Sequence, residues 1–312
     1  AVVLLIMIPA GALVGIITYA LTLGVMTYGG ATQGAEVILH IISILSVVFG
    51  INVIINIFYF SNDIENLIPL PLKPREIVSA KFAYSLLSEN IMEFILILGA
   101  CVGFMSAKGF SLTGVITSII GILTVPIIPL AYCGIIAVIF MYFTHSVKNR
   151  DFLNKITGIG TAVLIVGALV ALVSISGFNP DAIVTSLASA DNGFLNVMNF
   201  IFPHIPLMMD SISSESVYQL LLYLLANVIF VAVFLFLASK MYIKGVSDIN
   251  TTKSKRSKSI ASQAVEKSTQ KGVFASYLKK EFLILFRTPP FFMDCIAINL
   301  LWPVFMAVIM IL

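Results

Sequence analysis

Seven apolar runs, each about long enough to cross a bilayer, alternate along this chain with short polar stretches: Val2–Met26, Val37–Phe60, Phe82–Met105, Val115–Phe143, Thr157–Ser176, Val217–Ser239 and Phe291–Leu312. A helix needs about 20 apolar residues to span the hydrocarbon core. Backbone amides find no water there, and no run shows the alternation of a barrel strand, so each run is predicted to be a helix. The expected fold is all-α, a polytopic helical membrane protein. Residues 1–245 form a first six-span half, 246–272 a flexible basic linker, and 273–312 an interfacial helix with the first span of a second half. The chain reads as cut inside or beside a span at both ends.

Composition supports that pattern. Hydrophobic residues make up 59% and charged residues 11% of the 312 positions, with a mean hydropathy of +1.06. Soluble domains run near 45–50% apolar and about 25% charged. Cys101, Cys133 and Cys295 sit inside apolar runs with no ligand-like spacing. They read as small buried hydrophobes, with no metal site and no disulfide framework.

Charge placement sets the orientation. Every lysine and arginine except Lys108 falls on one side of this topology, and the positive-inside rule makes that side cytoplasmic. The chain is therefore expected to be multi-pass in the plasma membrane, with segment 61–81 in the cytoplasm. On the opposite side, Gly177–Ser216 carries no lysine or arginine but several apolar stretches. It predicts short helices lying on or dipping into the outer leaflet, or an ordered cap over the bundle. Val246–Lys271 is rich in serine, threonine and lysine, which predicts a flexible segment drawn to anionic headgroups. In Phe274–Arg287 the apolar residues share one helical face, which predicts an interfacial helix ended by Pro289-Pro290.

Polar residues inside the runs are few. Glu89 and Glu93 lie one helical turn apart on the third span, with Asn90 beside them. Two readings stand: a contact for a cationic or polar substrate, or for protons, inside the bundle; or carboxylates still close to the cytoplasmic interface, about 12 Å beyond Lys81. Asn52 and Asn56 share a face of the second span, suited to interhelical hydrogen bonds or to lining a pathway. His40 and Asn227 are single polar groups of the structural kind. Pro126 and Pro129 are expected to kink the fourth span, and Gly11 and Gly15 to allow close helix packing.

The most structured polar segment is Ser61–Lys81, SNDIENLIPLPLKPREIVSAK. Ser61 or Asn62 can cap a short helix, with Asp63 and Glu65 in its first turn. Pro69 and Pro71 end it. Pro74 suits the first turn of a new helix that leads into the third span. These features alone describe an ordinary stiff loop.

The segment also resembles the first cytoplasmic loop of ATP-binding-cassette exporter permeases of the second type. The residues carrying the likeness are Glu65, Leu67-Ile68, Pro71-Leu72, Glu76-Ile77 and Lys81, and DIENLIPLPLKPREI is similar to bacterial exporter permeases with two fused six-span halves. The resemblance extends to the apolar outer segment and to Phe286-Arg287-Thr288-Pro289 before the last run. The helix that should precede the first span is missing. What the resemblance implies is a transport subunit in which Asp63, Glu65, Leu67, Pro71, Arg75, Glu76 and Lys81 couple to a separate ATPase subunit.

No G-x-x-x-x-G-K-[ST] occurs in the chain, so no loop is present to cradle phosphates. ATP and magnesium are expected on the partner, with no cofactor and no catalysis on this chain. The remaining expected partners are membrane lipids and a second six-span half, in the same longer polypeptide or in a homodimer; nucleic acid is not among them. Asn52, Asn56, Glu89 and Glu93 are the candidate substrate pathway. The alternatives are a proton-coupled secondary transporter using Glu89 and Glu93, or a membrane scaffold.

Overall fold

The computed structural model describes residues 2–59, 73–143, 184–185, 187 and 193–264, and all the regular structure among them is helical. The helices are α1 (Val2–Thr27), α2 (Gln33–Tyr59), α3 (Pro74–Lys108), α4 (Leu112–Thr124), α5 (Ile127–Phe143), α6 (Gly193–Ile201), α7 (His204–Ser214) and α8 (Val217–Ala264). Four stretches are long and apolar enough to cross a membrane: Ile8–Thr27, Gln33–Tyr59, Leu112–Ile139 and Val217–Tyr242. The two parts of α3, Pro74–Ile91 and Glu93–Lys108, pass the same test together as one bent span. The chain is thus a polytopic helical membrane protein. The runs Thr157–Ser176 and Phe291–Leu312, and the expected interfacial helix, lie outside the described residues.

The chain divides into two compact units, Ala1–Ala137 with Leu172–Lys240 and Val138–Ala171 with Met241–Leu312. In the second unit the described residues are the ends of α5 and α8, 138–143 and 241–264.

In the first unit, α1 and α3 pack backbone to backbone. A Cβ on Gly99 would stand 2.1 Å from the Gly11 carbonyl oxygen, and one on Gly103 would stand 2.3 Å from that of Gly15. Gly11 and Gly15 therefore do permit close packing, and Gly99 and Gly103 are their partners. Such contact is how helices associate in lipid, where apolar burial offers little preference between neighbour and solvent. The α1–α2 turn passes through Gly29 at φ +84° and the α3–α4 turn through Gly109 at φ +112°, conformations that a side chain strains. Ser111 caps α4, its hydroxyl accepting the Gly114 N–H at 3.0 Å.

The fourth span, Leu112–Ile139, is one stretch interrupted near its middle, where the kink is expected. α4 stops at Thr124 and α5 begins at Ile127. Pro126 lies in the break, having no N–H to continue the ladder, while Pro129 lies inside α5.

Two short helices occupy the outer segment. α6 and α7 are joined by Phe202 and Pro203, which lead into a buried row of His204, Ile205, Met208, Met209 and Ile212. Met208 fills the space beside Gly121 of α4, where a Cβ would meet its Cε at 2.3 Å. Phe202, Ile205, Met208, Met209 and Ile212 belong to the same core as Leu39 of α2, Ile97 and Phe104 of α3 and Ile128 of α5. α7 is thus an inserted wedge, whereas α6 buries Leu195 and leaves Val197 and Phe200 exposed.

The first part of the stretch expected to be a linker, 246–264, is helical. α8 continues without a break through Ala264. The stretch after Gly245 holds no glycine or proline until Gly272, and its lysines, glutamine and alanines are adequate helix formers, so nothing local stops the helix.

Candidate functional site

α2 is apolar along most of its length, and its polar residues fall at helical spacing. Glu36, His40, Ser43 and Ser46 lie four, three and three residues apart, with Gly50 four further on, which turns them toward one side of the helix. All four side chains are buried. Polar groups kept inside a lipid-embedded bundle are costly unless partnered.

At the inner end of this row α2 meets α3. Glu89 and Glu93 stand one turn apart near the middle of the 35-residue α3, at 1% and 5% exposure. Ser46 faces both carboxylates, yet neither its hydroxyl nor any of their oxygens closes a hydrogen bond within the protein. Gly50 leaves the room: a Cβ there would lie 3.9 Å from Glu89 Oε1 and 3.5 Å from Cys133 Sγ. Cys133 of α5 closes the third side, its thiol donating to the Val47 carbonyl at 3.2 Å. No cationic side chain pairs with either carboxylate among the described residues. Two adjacent carboxyls beside a hydroxyl, without a protein counter-charge, can hold a proton or a cation.

A second cluster lies at the outer end. The Thr32 hydroxyl donates to the Glu36 carboxylate. His40 Nε2 and Asn199 Oδ1 of α6 are 2.7 Å apart, and Asn199 also faces Glu36. His40 Nδ1 has no partner within the protein. The α6–α7 turn covers this cluster: the Phe202 ring lies 6.2 Å from that of His40, and the His204 ring stacks on Tyr223 of α8. Burial, with His40 nearby, lowers His204 to about 3, so its imidazole is neutral. Asp210 of α7 is raised above the usual aspartate range by burial, with Lys108 opposing. Lys108 in turn donates to the backbone and hydroxyl oxygens of Ser213.

The remaining residues named from the sequence are dispersed. Asn52 and Asn56 are half-buried on α2, and Asn56 Nδ2 donates to the Asn52 carbonyl at 2.8 Å. Asn227 is buried on α8 and donates to the Tyr223 carbonyl at 3.0 Å. Asp63, Glu65, Leu67 and Pro71 lie outside the described residues. α3 begins at Pro74, as its sequence predicts, and the Glu76 carboxylate accepts the Lys73 N–H at 3.0 Å. Arg75 and Glu76 are exposed, whereas Lys81 is turned inward, its Nζ donating to the Ile57 carbonyl at 2.7 Å.

Residues 3–312 match the family model described as "Membrane protein of 12 TMs". The chain belongs to this family. No curated protein and no solved structure matches it.

Sequence reasoning found Glu89, Glu93 and His40 but not their companions Glu36, Ser43, Ser46, Asn199 and Cys133. The signal for three of these was present in α2, where polar residues at steps of three and four interrupt an otherwise apolar run. Asn199 and Cys133 carry no such signal, because the contact that places each is with a distant helix.

Proposed function

We propose that this chain is the transmembrane permease subunit of an ATP-driven exporter, coupled through segment 61–81 to a separate ATPase. The observation that carries the proposal is the way that segment is footed. Its two ends are the C-terminus of α2 and the first turns of α3, and the Lys81–Ile57 bond ties those helices together directly below the loop. The same two helices hold Ser46, Glu89 and Glu93. A push on the loop by a nucleotide-driven partner would move both walls of the buried site at once. The resemblance of the loop to exporter permeases supplies the identity of that partner. A family of twelve transmembrane segments supports two six-span halves, of which this chain would hold the first and the start of the second.

A photo-reactive amino acid at Glu65 tests this in cells. The reading expects crosslinking to a cytosolic polypeptide that contains a phosphate-binding loop. Labelling of residue 65 by an impermeant reagent from outside the cell would refute it.

The unpaired burial of Glu89 and Glu93 favours a second reading, a proton-coupled transporter. Uptake or efflux driven by a pH gradient without ATP, and lost in Glu93→Gln, would establish it over the first.

A further inference from the structure

The two polar clusters are not isolated from each other. Between His40 and the Glu89–Glu93 pair, the buried side of α2 presents Ser43 and Ser46, both fully buried. Along this row His40 Nδ1, Ser43 Oγ, Ser46 Oγ and all four carboxylate oxygens lack a hydrogen-bond partner within the protein. Buried polar atoms are nearly always satisfied, by protein or by ordered water. Here His40 Nδ1, Ser43 Oγ and Ser46 Oγ are left without a protein partner in succession, one helical turn apart. Neighbours at that spacing have Cβ atoms about 5–6 Å apart, a gap that one bridging water closes. From Glu36 to Ser46 the row climbs about 15 Å at 1.5 Å per residue.

We propose that this row is a hydrated, cation-selective access path from the outer face to the Glu89–Glu93 pair, which takes up a single monovalent positive charge. Its mouth is the Thr32–Glu36–Asn199–His40 cluster under the α6–α7 turn, and its floor is the two carboxyls with Ser46 and Cys133. Among the described residues, the groups facing it are acidic or neutral. At the mouth they are Glu36 and His40 on α2, His204 and Asp210 on α7, and Asn199 on α6. At the floor they are the two glutamates on α3 and the Cys133 thiol on α5. Lys108, the cation nearest the mouth, is exposed and bound to Ser213. A field of that sign admits cations and excludes anions. Uptake of a proton makes one O–H bond on a carboxylate and breaks one on hydronium; uptake of a small ammonium or alkali ion makes and breaks no covalent bond. The path does not depend on what drives transport, so it stands or falls apart from the ATP-driven reading.

Accessibility of introduced cysteines tests the path without a transport assay. In full-length protein with Cys101, Cys133 and Cys295 replaced by serine or alanine, single cysteines are placed at Ser43, Ser46 and the outward-facing Ile41. Proteoliposomes are treated from outside with a cationic ethylammonium or an anionic ethylsulfonate methanethiosulfonate. Relative to the same ratio for a small free thiol in solution, the path predicts that Ser43→Cys and Ser46→Cys favour the cationic over the anionic reagent at least about tenfold, and that Ile41→Cys reacts with neither. Adding Glu89→Gln and Glu93→Gln should abolish the preference at Ser46→Cys while leaving its reaction. Competition by sodium or ammonium at constant pH would identify a cation as occupant; slowing by acid alone would identify the proton. Unreactive Ser43→Cys and Ser46→Cys in protein that elutes as a folded monodisperse species would overturn the proposal, as would equal rates with the two reagents.

Discussion

At the scale of single residues, the Glu89–Glu93 pair is the place where stability and use part company. Two like carboxyls side by side at 1% and 5% exposure, with no hydrogen bond from the protein, are a standing cost to the fold even with water beside them, since burial removes most of the hydration a charged group has in bulk water. Removing one of them should therefore help the protein stand while harming what it does. Glu93→Leu is expected to raise the thermal midpoint of the detergent-solubilised protein, by the equivalent of about 1–3 kcal/mol, and to abolish transport. A fall in the midpoint would mean that Glu93 is satisfied in the folded protein and serves structure instead. The sequence made the pair visible but left open whether it lay in the bundle or at the interface. Both side chains are buried among the helices, beside Ser46, Gly50 and Cys133.

At the scale of elements, the helices were legible and their faces were not. Lipid demands long apolar runs, so α1 to α5 and α8 announce themselves, and Pro126 announces the break between α4 and α5. What a span presents to lipid and what it presents to a neighbour are both apolar, so no amphipathic pattern tells the two sides apart. For that reason Gly11 and Gly15 could be read as packing residues, but Gly99 and Gly103 were invisible until α3 was placed against α1. The same reason hid the wedge. α6 and α7 read as apolar and short, which suits a surface helix as well as an inserted one. α8 shows the converse: a polar, basic composition suggested a linker, yet with no breaker the helix runs on. The α1–α3 contact makes a sharp prediction. Gly99→Leu would drive a side chain into the Gly11 carbonyl, so it should destabilise by at least about 1–3 kcal/mol, read as a lower thermal midpoint. Gly29→Leu, in a turn with open space around it, strains only the backbone and should cost less.

At the scale of the whole molecule, the chain belongs to the family described as "Membrane protein of 12 TMs", and α2 and α3 are the elements through which the proposed exporter would be worked. α2 and α3 are joined below by the Lys81–Ile57 bond and above it carry the buried polar row. Under the proposed coupling, energy delivered at 61–73 would reach the site through α2 and the first part of α3, Pro74–Ile91. The direct measurement is nucleotide hydrolysis by this chain reconstituted with the ATPase subunit proposed for it, with residues 63–67 replaced by glycine and serine. The account predicts that the complex still assembles in the membrane but hydrolyses ATP at a rate no longer altered by the permease, and transports nothing. Full ATP-driven transport by the replaced loop would contradict it.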